Sequence, residues 1–177
     1  MLYYSRTGSN AYLAEKIAQT LRGDLEAITP RLNLFPVLLL FSWLNRSLGI
    51  KTLTHCVDEY DAVIVCGPVW MGQCISPLRD VIKKYGTRIK QLYFTTCCGS
   101  RDAIKDEKFG YAGVFQQVRQ LTGDRCVHCE AFPIGLVLPA DKQDDSDAVM
   151  KARLSDQNFT GHIQSRLEHF MQKVTEK

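Results

Sequence analysis

A polar loop near the start of the chain carries residue types that bind anions. It lies between a short apolar start and an amphipathic helical pattern, and it consists of Ser5, Arg6, Thr7, Gly8, Ser9 and Asn10. Backbone N–H groups at the start of a helix, together with hydroxyl groups, can surround a phosphate, and the helix dipole favours its charge. The same residue types are common in ordinary helix caps. The loop by itself therefore leaves a phosphate site and a simple cap equally open.

Two more loops follow apolar runs of strand length. Residues 61–67, DAVIVCG, form a continuous apolar run, and the next residues are Pro68, Val69, Trp70, Met71 and Gly72. A second predicted strand, residues 91–96, ends at Thr96 and is followed by Cys97, Cys98 and Gly99. In a parallel sheet with helical crossovers, ligands bind outside the carboxyl ends of the strands. We therefore expect these loops to meet the first one at a single edge of the sheet.

The elements that would position the loops alternate between strand and helix. Apolar spacing predicts a first helix that stops near Gly23, a helix at 76–85, a helix at 114–121 and mostly helical structure over 147–177, with a break near 158–161. A strand region at 126–138 is interrupted by Pro133 and Gly135, and residues 30–54 are irregular or helical. This order predicts a parallel sheet with helices on both faces, in one domain spanning 1–177.

In order and spacing, these motifs resemble the flavodoxin-like family over roughly residues 3–138. The motifs are S-R-T-G-S-N before the first helix, G-P-V-W-M-G after a central strand, and TTCCGS at the end of the next strand. The resemblance implies an α/β fold with three layers and a doubly wound, five-stranded parallel sheet of order 2-1-3-4-5. It also implies FMN as the cofactor, bound where the order of the strands reverses.

The resemblance places the FMN phosphate in the first loop and the ring across residues 68–72 and 96–100. Trp70 would stack on the ring or, alternatively, cover a neighbouring helix, and backbone groups at Gly72 would lie near the ring. Arg6 would either add positive charge or point to solvent. The full set of cofactor-binding residues that it implies is Ser5, Arg6, Thr7, Gly8, Ser9, Asn10, Pro68, Val69, Trp70, Met71, Gly72, Thr96, Cys97, Cys98 and Gly99. No residue is assigned a catalytic role.

The seven cysteines do not predict a metal site. Cys97 and Cys98 end one predicted strand whereas Cys126 begins the next, so a strand length of roughly 17–20 Å would separate them. Cys126 and Cys129 form a C-x-x-C motif, but residues three apart in a regular strand point to opposite faces. The cysteines near the predicted flavin, Cys66 and Cys74 among them, are expected to be packing residues rather than redox groups.

Composition narrows the class of function. The chain has 22 basic and 19 acidic side chains, and a net charge of +3 is too small for a nucleic-acid surface. An odd number of cysteines indicates reduced thiols in a cytoplasmic protein, and no stretch is long enough to span a membrane.

The net charge also bears on the choice between functions. Flavodoxin-type carriers are typically acidic, which helps them dock on basic partners. The charge therefore favours an oxidoreductase that passes electrons from NAD(P)H to a quinone-like acceptor. A carrier of electrons between proteins, or a sensor or interaction protein that binds FMN weakly, are the alternatives.

Two features depart from the family pattern. Only residues 1–4 precede the first loop, so we expect either a true start further upstream or a shortened central strand. Residues 32–48 are almost continuously apolar, where a surface helix would show only a stripe. We expect part of this segment to stay exposed near the flavin edge, as a homodimer contact or as the floor of an apolar substrate pocket, and a contact with a membrane surface is the other possibility.

Overall fold

The protein is described by a computed structural model that covers residues 1–176. Its strands and helices alternate along the chain in the predicted way. In chain order they are β1 (Leu2–Tyr3), α1 (Ser9–Leu21), β2 (Glu26–Ala27), α2 (Phe35–Trp43), β3 (Ala62–Cys66), β4 (Val69–Trp70), β5 (Gln73–Cys74), α3 (Ser76–Tyr85), β6 (Gln91–Cys98), α4 (Tyr111–Thr122), β7 (Cys126–Pro133), α5 (Ser146–Lys151) and α6 (His162–Thr175).

Five of the strands form one parallel sheet, in the order β2-β1-β3-β6-β7. The remaining two, β4 and β5, pair with each other as an antiparallel hairpin that follows β3, and the sequence did not predict this hairpin. The chain enters the sheet at β1, adds β2 on one side, and then crosses to β3 on the other. The order therefore reverses between β1 and β3, so the loops that follow these two strands lie side by side.

Each face of the sheet packs against helices, and alternate residues of the central strands point to opposite faces. Val63, Val65 and Phe94 lie in one apolar cluster together with side chains from α2, α3 and α4. Ile64 and Tyr93 lie in the other cluster, with side chains from α1 and α6. Burial on both sides explains why β3 is a continuous apolar run in the sequence.

Helix α2 is held by polar contacts as well as by apolar packing. The Ser42 hydroxyl donates to the Leu38 carbonyl (2.6 Å) and accepts a hydrogen bond from the Ser76 amide (2.8 Å), which is a free donor at the start of α3. The buried Arg79 guanidinium donates to the carbonyls of Phe41 and Arg46 at the end of α2. These contacts fix the C-terminal end of α2 against α3.

The central strand β1 is short. It consists of two residues, and Leu2 pairs with Glu26 on one side and with Val65 on the other. The Tyr4 amide still donates to the Cys66 carbonyl (2.9 Å), which continues the ladder up to the first loop. Within the described residues, β1 is therefore a two-residue strand that pairs with a neighbour on each side.

Strand β7 corrects one prediction about its cysteines. The pairing partner of Leu92 is Cys126, but that of Tyr93 is His128, so Val127 is an extra residue in a β-bulge. The bulge changes the alternation of side chains and places the sulfur atoms of Cys126 and Cys129 3.4 Å apart. The prediction that the two thiols face opposite sides of the sheet is wrong, because it assumed a regular strand.

Candidate functional site

A cavity of about 440 Å³ lies at the carboxyl edge of the sheet, where the three predicted loops meet. Most of the predicted cofactor-binding residues line it, namely Arg6, Thr7, Ser9, Asn10, Pro68, Val69, Trp70, Met71, Cys97, Cys98 and Gly99. The predicted residues that do not line it are Ser5, Gly8, Gly72 and Thr96. The structure therefore brings the three motifs together around one space.

The first loop delivers the start of α1 to this cavity. Gly8 precedes the helix with a φ angle of 99°, which only glycine adopts without strain, and its amide donates to the Ser5 hydroxyl oxygen (3.2 Å). The first backbone amide of α1 that donates to a helical carbonyl is that of Tyr12, and its acceptor is the Gly8 carbonyl (2.9 Å). Within residues 1–176, the amides of Ser9, Asn10 and Ala11 have no acceptor, as expected for the first turn of a helix.

Asn10 holds the first loop to the end of β6. Its side-chain amide donates to the Cys97 carbonyl (3.0 Å), and its oxygen accepts from the Cys97 amide (2.8 Å). The Cys66 thiol donates to the same oxygen at 3.4 Å. Because this buried side chain already has its partners, its geometry makes it a positioning residue for the loop, whereas the sequence motif indicated a direct contact with phosphate.

Two arginines give the cavity a positive charge. Arg6 is exposed, and its guanidinium carbon lies 3.8 Å from the centre of the Phe35 ring, in cation–π geometry. Arg153 follows α5, and the next amide, that of Leu154, donates to the Ser9 hydroxyl (3.2 Å). The described residues that line the cavity include no carboxylate. This lining suits a ligand that carries negative charge.

Another part of the cavity lining is apolar and aromatic. Trp70 packs edge to face against Phe35 (ring centres 5.0 Å apart) and against Tyr4 (6.0 Å). Met71 and Leu39 extend the same wall, and Met71 is 55% exposed. Trp70 therefore contacts α2 through Phe35 and faces the cavity at the same time, so both predicted roles for it stay compatible with its position.

The hairpin turn is shaped by Gly72. Its φ angle is +70°, and its carbonyl accepts from the Gln117 side chain (3.1 Å), which directs this carbonyl toward α4 rather than into the cavity. A Cβ atom at Gly72 would lie 2.2 Å from the Lys108 carbonyl oxygen. Thr96 is also turned away, because its side chain is buried in the sheet, and its hydroxyl has no partner within residues 1–176.

We expect Gly72→Ala to destabilise the protein more than an alanine substitution at another glycine that has a positive φ angle. The matched control is Gly123→Ala, since Gly123 has φ +58° and open space around its Cβ position. The control should cost about 1–3 kcal/mol for backbone strain alone, since its φ of 58° and ψ of −139° suit only glycine, and Gly72→Ala about 1–3 kcal/mol more, because the loop at Lys108 must also shift. Urea unfolding followed by circular dichroism measures both, and equal losses would contradict the predicted clash.

The thiols that lie around the cavity are buried. Burial raises the pKa of Cys98 to about 12 and that of Cys74 to about 12. Burial also raises the pKa values of Cys66 and Cys97 well above their usual range. These thiols stay protonated near neutral pH, which agrees with the expectation that they pack rather than react.

Residues 1–176 contain no group of three or more potential metal ligands. In the same range, no helix is both long and apolar enough to cross a membrane.

Several residues of the cavity wall were not found from the sequence. They are Phe35, Leu39, Ile134, Val149, Met150, Ala152 and Arg153. Phe35 and Leu39 belong to the apolar segment that we expected near the flavin edge. The sequence therefore indicated that this segment lies near the site, but not which of its residues line the cavity. Residues 149–153 carry no motif that could have indicated their place in the site.

Comparison with solved structures identifies the fold. The crystal structure of a flavoprotein in complex with FMN from Lactobacillus acidophilus NCFM matches with a TM-score of 0.59 and 12% identity, over 73% of this chain and 90% of that one. The NMR structure of the apo form of the flavoprotein from the same organism matches with a TM-score of 0.55 and 11% identity, over 82% and 95%. A protein from Bacteroides eggerthii DSM 20697 matches with a TM-score of 0.60 and 16% identity, over 84% and 91%.

These similarities show that the chain has the flavodoxin-like α/β fold with a five-stranded parallel sheet, as the motifs implied. No protein-family model matches the sequence, and no curated protein matches it.

Proposed function

We propose that this chain binds FMN in the cavity at the carboxyl edge of the sheet and acts as a redox protein. One observation carries the proposal: a single cavity joins a positively charged helix start to a wall that includes Trp70 and Phe35. FMN has matching parts, an anionic phosphate and a large planar ring. The structural neighbour that was crystallised with FMN has the same fold, which supports this ligand.

The phosphate fits the end of the cavity formed by the first loop. The amides of Ser9, Asn10 and Ala11 have no acceptor within residues 1–176, and the positive end of the helix dipole lies behind them. Thr7 is exposed and lines the cavity, so its hydroxyl is free to donate to a phosphate oxygen. Arg6 adds a guanidinium at the same end. Of the two possibilities considered from the sequence, this position favours a contribution of positive charge to the site over a side chain that only points to solvent.

The ring fits the other end, against Trp70 and Met71 on one side and the backbone near Cys98 and Gly99 on the other. An indole offers a large apolar surface and a π face for a planar heterocycle. When bound there, FMN would supply the electron-transfer chemistry, and the chain would supply its position and its shielding from water. None of the thiols in this wall is required for that chemistry.

Fluorescence tests FMN binding and the position of the ring together. The chain has two tryptophans, and Trp43 is 66% exposed on the outer side of α2. In a Trp43→Phe variant the remaining emission comes from Trp70, and we expect saturating FMN to quench most of it. Emission that stays unchanged while FMN binds would contradict the placement of the ring beside Trp70. A chain that binds no FMN at all would overturn the proposed function.

For the reaction, we propose transfer of electrons from NAD(P)H through FMN to a quinone-like acceptor. The support is the net charge of +3, since a carrier that docks on basic partners would be expected to be acidic. The test is the anaerobic mixing of the FMN-loaded protein with NADPH or NADH, followed by addition of a soluble quinone. Rapid bleaching of the flavin by either nucleotide, with reoxidation by the quinone, is the expected result. Slow bleaching, with rapid reduction by a reductase protein, would indicate an electron carrier instead.

We further propose that α2 forms part of the acceptor pocket. Leu39 lines the cavity, whereas its neighbour Leu40 is 49% exposed on the outer side of the same helix. Leu39→Ser should therefore raise KM for a hydrophobic quinone severalfold, because an apolar contact is lost, and Leu40→Ser should leave it unchanged. Equal KM values for both variants would contradict this role. If Leu40→Ser instead converts a dimer to a monomer in sizing experiments, the exposed side of α2 is a homodimer contact.

A further inference from the structure

A pair of cysteines lies far from the cavity, at the amino edge of the sheet. The bulge at Val127 brings Cys126 and Cys129 to the same side of β7, with their sulfur atoms 3.4 Å apart. Such a spacing is unexpected for a C-x-x-C motif in a strand, since regular alternation would separate the two side chains. The bulge is what makes the two thiols neighbours.

The two thiols differ in exposure. Cys126 is only partly buried at the start of β7, whereas Cys129 is buried in the apolar cluster on the α4 side of the sheet. Val127 between them is 49% exposed. Strand β7 is an edge strand, so no neighbouring strand covers its outer side.

The surroundings also favour ionisation of the outer thiol. A hydrogen bond from Cys129, together with the positive charge of Arg119, lowers the pKa of Cys126 to about 7. The same contact and burial raise the pKa of Cys129. The lowered pKa favours the thiolate of Cys126, which is the form that attacks disulfides.

We propose that Cys126 and Cys129 form a reversible dithiol–disulfide pair that exchanges with low-molecular-weight disulfides. In the first step the Cys126 thiolate attacks one sulfur of the small disulfide. The sulfur–sulfur bond of that molecule breaks, one thiolate leaves, and a mixed disulfide forms on Cys126. Cys129 then gives its proton to the released thiolate or to water and attacks the Cys126 sulfur, and the second small thiolate leaves. The protein loses two electrons, and the small disulfide gains them as it becomes two thiols.

The geometry requires only a small movement. A disulfide bond is about 2.05 Å long, so the two sulfur atoms must approach by roughly 1.4 Å from their separation of 3.4 Å. The pair is also independent of the flavin cavity. Cys126 lies opposite Leu92 whereas Pro133 lies opposite Cys98, and six residues of β6 separate those positions. At about 3.3 Å per residue this is roughly 20 Å.

The test is to incubate the reduced protein with oxidised glutathione and to measure intact mass and cysteine-containing peptides over time. The wild type should become lighter by two hydrogen atoms, with the bond mapped between Cys126 and Cys129, and reduced glutathione should reverse the change. Cys129→Ser should instead accumulate one glutathione on Cys126, because the second step is removed. The Cys126→Ser variant should form neither the internal disulfide nor a glutathione adduct within β7.

The matched control is Cys56→Ser, which removes the exposed cysteine outside the pair and should leave formation of the internal bond unchanged. The wild-type measurement needs no variant to fold, so it decides the proposal by itself. A wild-type protein that keeps both thiols reduced would overturn the proposal. So would a stable glutathione adduct on Cys126 with Cys129 still free, or an internal bond that reduced glutathione does not open.

Discussion

Replacement of Thr7 by Asp is expected to reduce the affinity for FMN by at least about 100-fold. Thr7 is exposed at the loop end of the cavity, two residues before α1. A carboxylate there would repel the phosphate, and at an effective dielectric constant of about 20, charges roughly 5 Å apart interact by several kcal/mol. Solvent screening reduces this, but the loss of a hydrogen bond to a charged group adds about 1.5–3 kcal/mol. About 2.7 kcal/mol already corresponds to a factor of 100.

Thr7→Asn is the matched control for this charge. It has nearly the same size as the aspartate, is neutral and keeps a donor, so its affinity should fall by no more than about tenfold, within the value of one such hydrogen bond. Dissociation constants come from flavin or tryptophan fluorescence, and thermal unfolding without FMN checks that both variants fold. If Thr7→Asp and Thr7→Asn bind FMN equally well, the phosphate does not lie in the first loop.

Replacement of Arg79 by Met is expected to lower the free energy of unfolding by about 3 kcal/mol. The Arg79 side chain is 4% exposed and donates to five acceptors around the end of α2. These acceptors are the carbonyls of Phe41, Ser42, Arg46 and Cys74 and the side-chain oxygen of Asn45. Methionine preserves the apolar stem but leaves the carbonyls unpaired, and each buried unsatisfied group costs about 1–3 kcal/mol.

The substitution should also weaken FMN binding, because the helix that Arg79 anchors carries Phe35 and Leu39 into the cavity. Arg79→Lys should recover only part of the stability, since an ammonium cannot reproduce the planar fork of donors. The control is Arg88→Met, which removes an ion pair on the surface with Asp58 and should change stability little. Urea unfolding compares all three variants. Equal midpoints for Arg79→Met and Arg88→Met would show that the buried guanidinium does not hold α2.

The sequence alone predicted the alternation of the five sheet strands with helices and the edge of the sheet at which the three loops meet, but not the β4–β5 hairpin. Residues 76–85 were predicted as a helix and form α3, and the apolar run at 61–67 contains β3. These segments are predictable because burial on one or both faces imposes a period that local sequence displays. The loops converge as expected, since parallel strands place their carboxyl ends at a common edge.

The sequence did not determine how particular groups at the cavity are oriented. Asn10 has its partners at Cys97, which is 87 residues away, and Gly72 directs its carbonyl to Gln117. Helix α2 shows no apolar stripe, so its local sequence did not indicate its direction, which depends on partners far along the chain such as Arg79. A local pattern reports that a residue is buried, but it carries no information about the distant group that covers it.

The strand that carries Cys126 and Cys129 shows the same limit. Its alternation predicted thiols on opposite faces, and a single extra residue, Val127, brought them together instead. The bulge exists because β7 must pair with β6 in a register that only the assembled sheet fixes. The sequence determined that a strand forms here, and the pairing with its neighbour decided which of its side chains can meet.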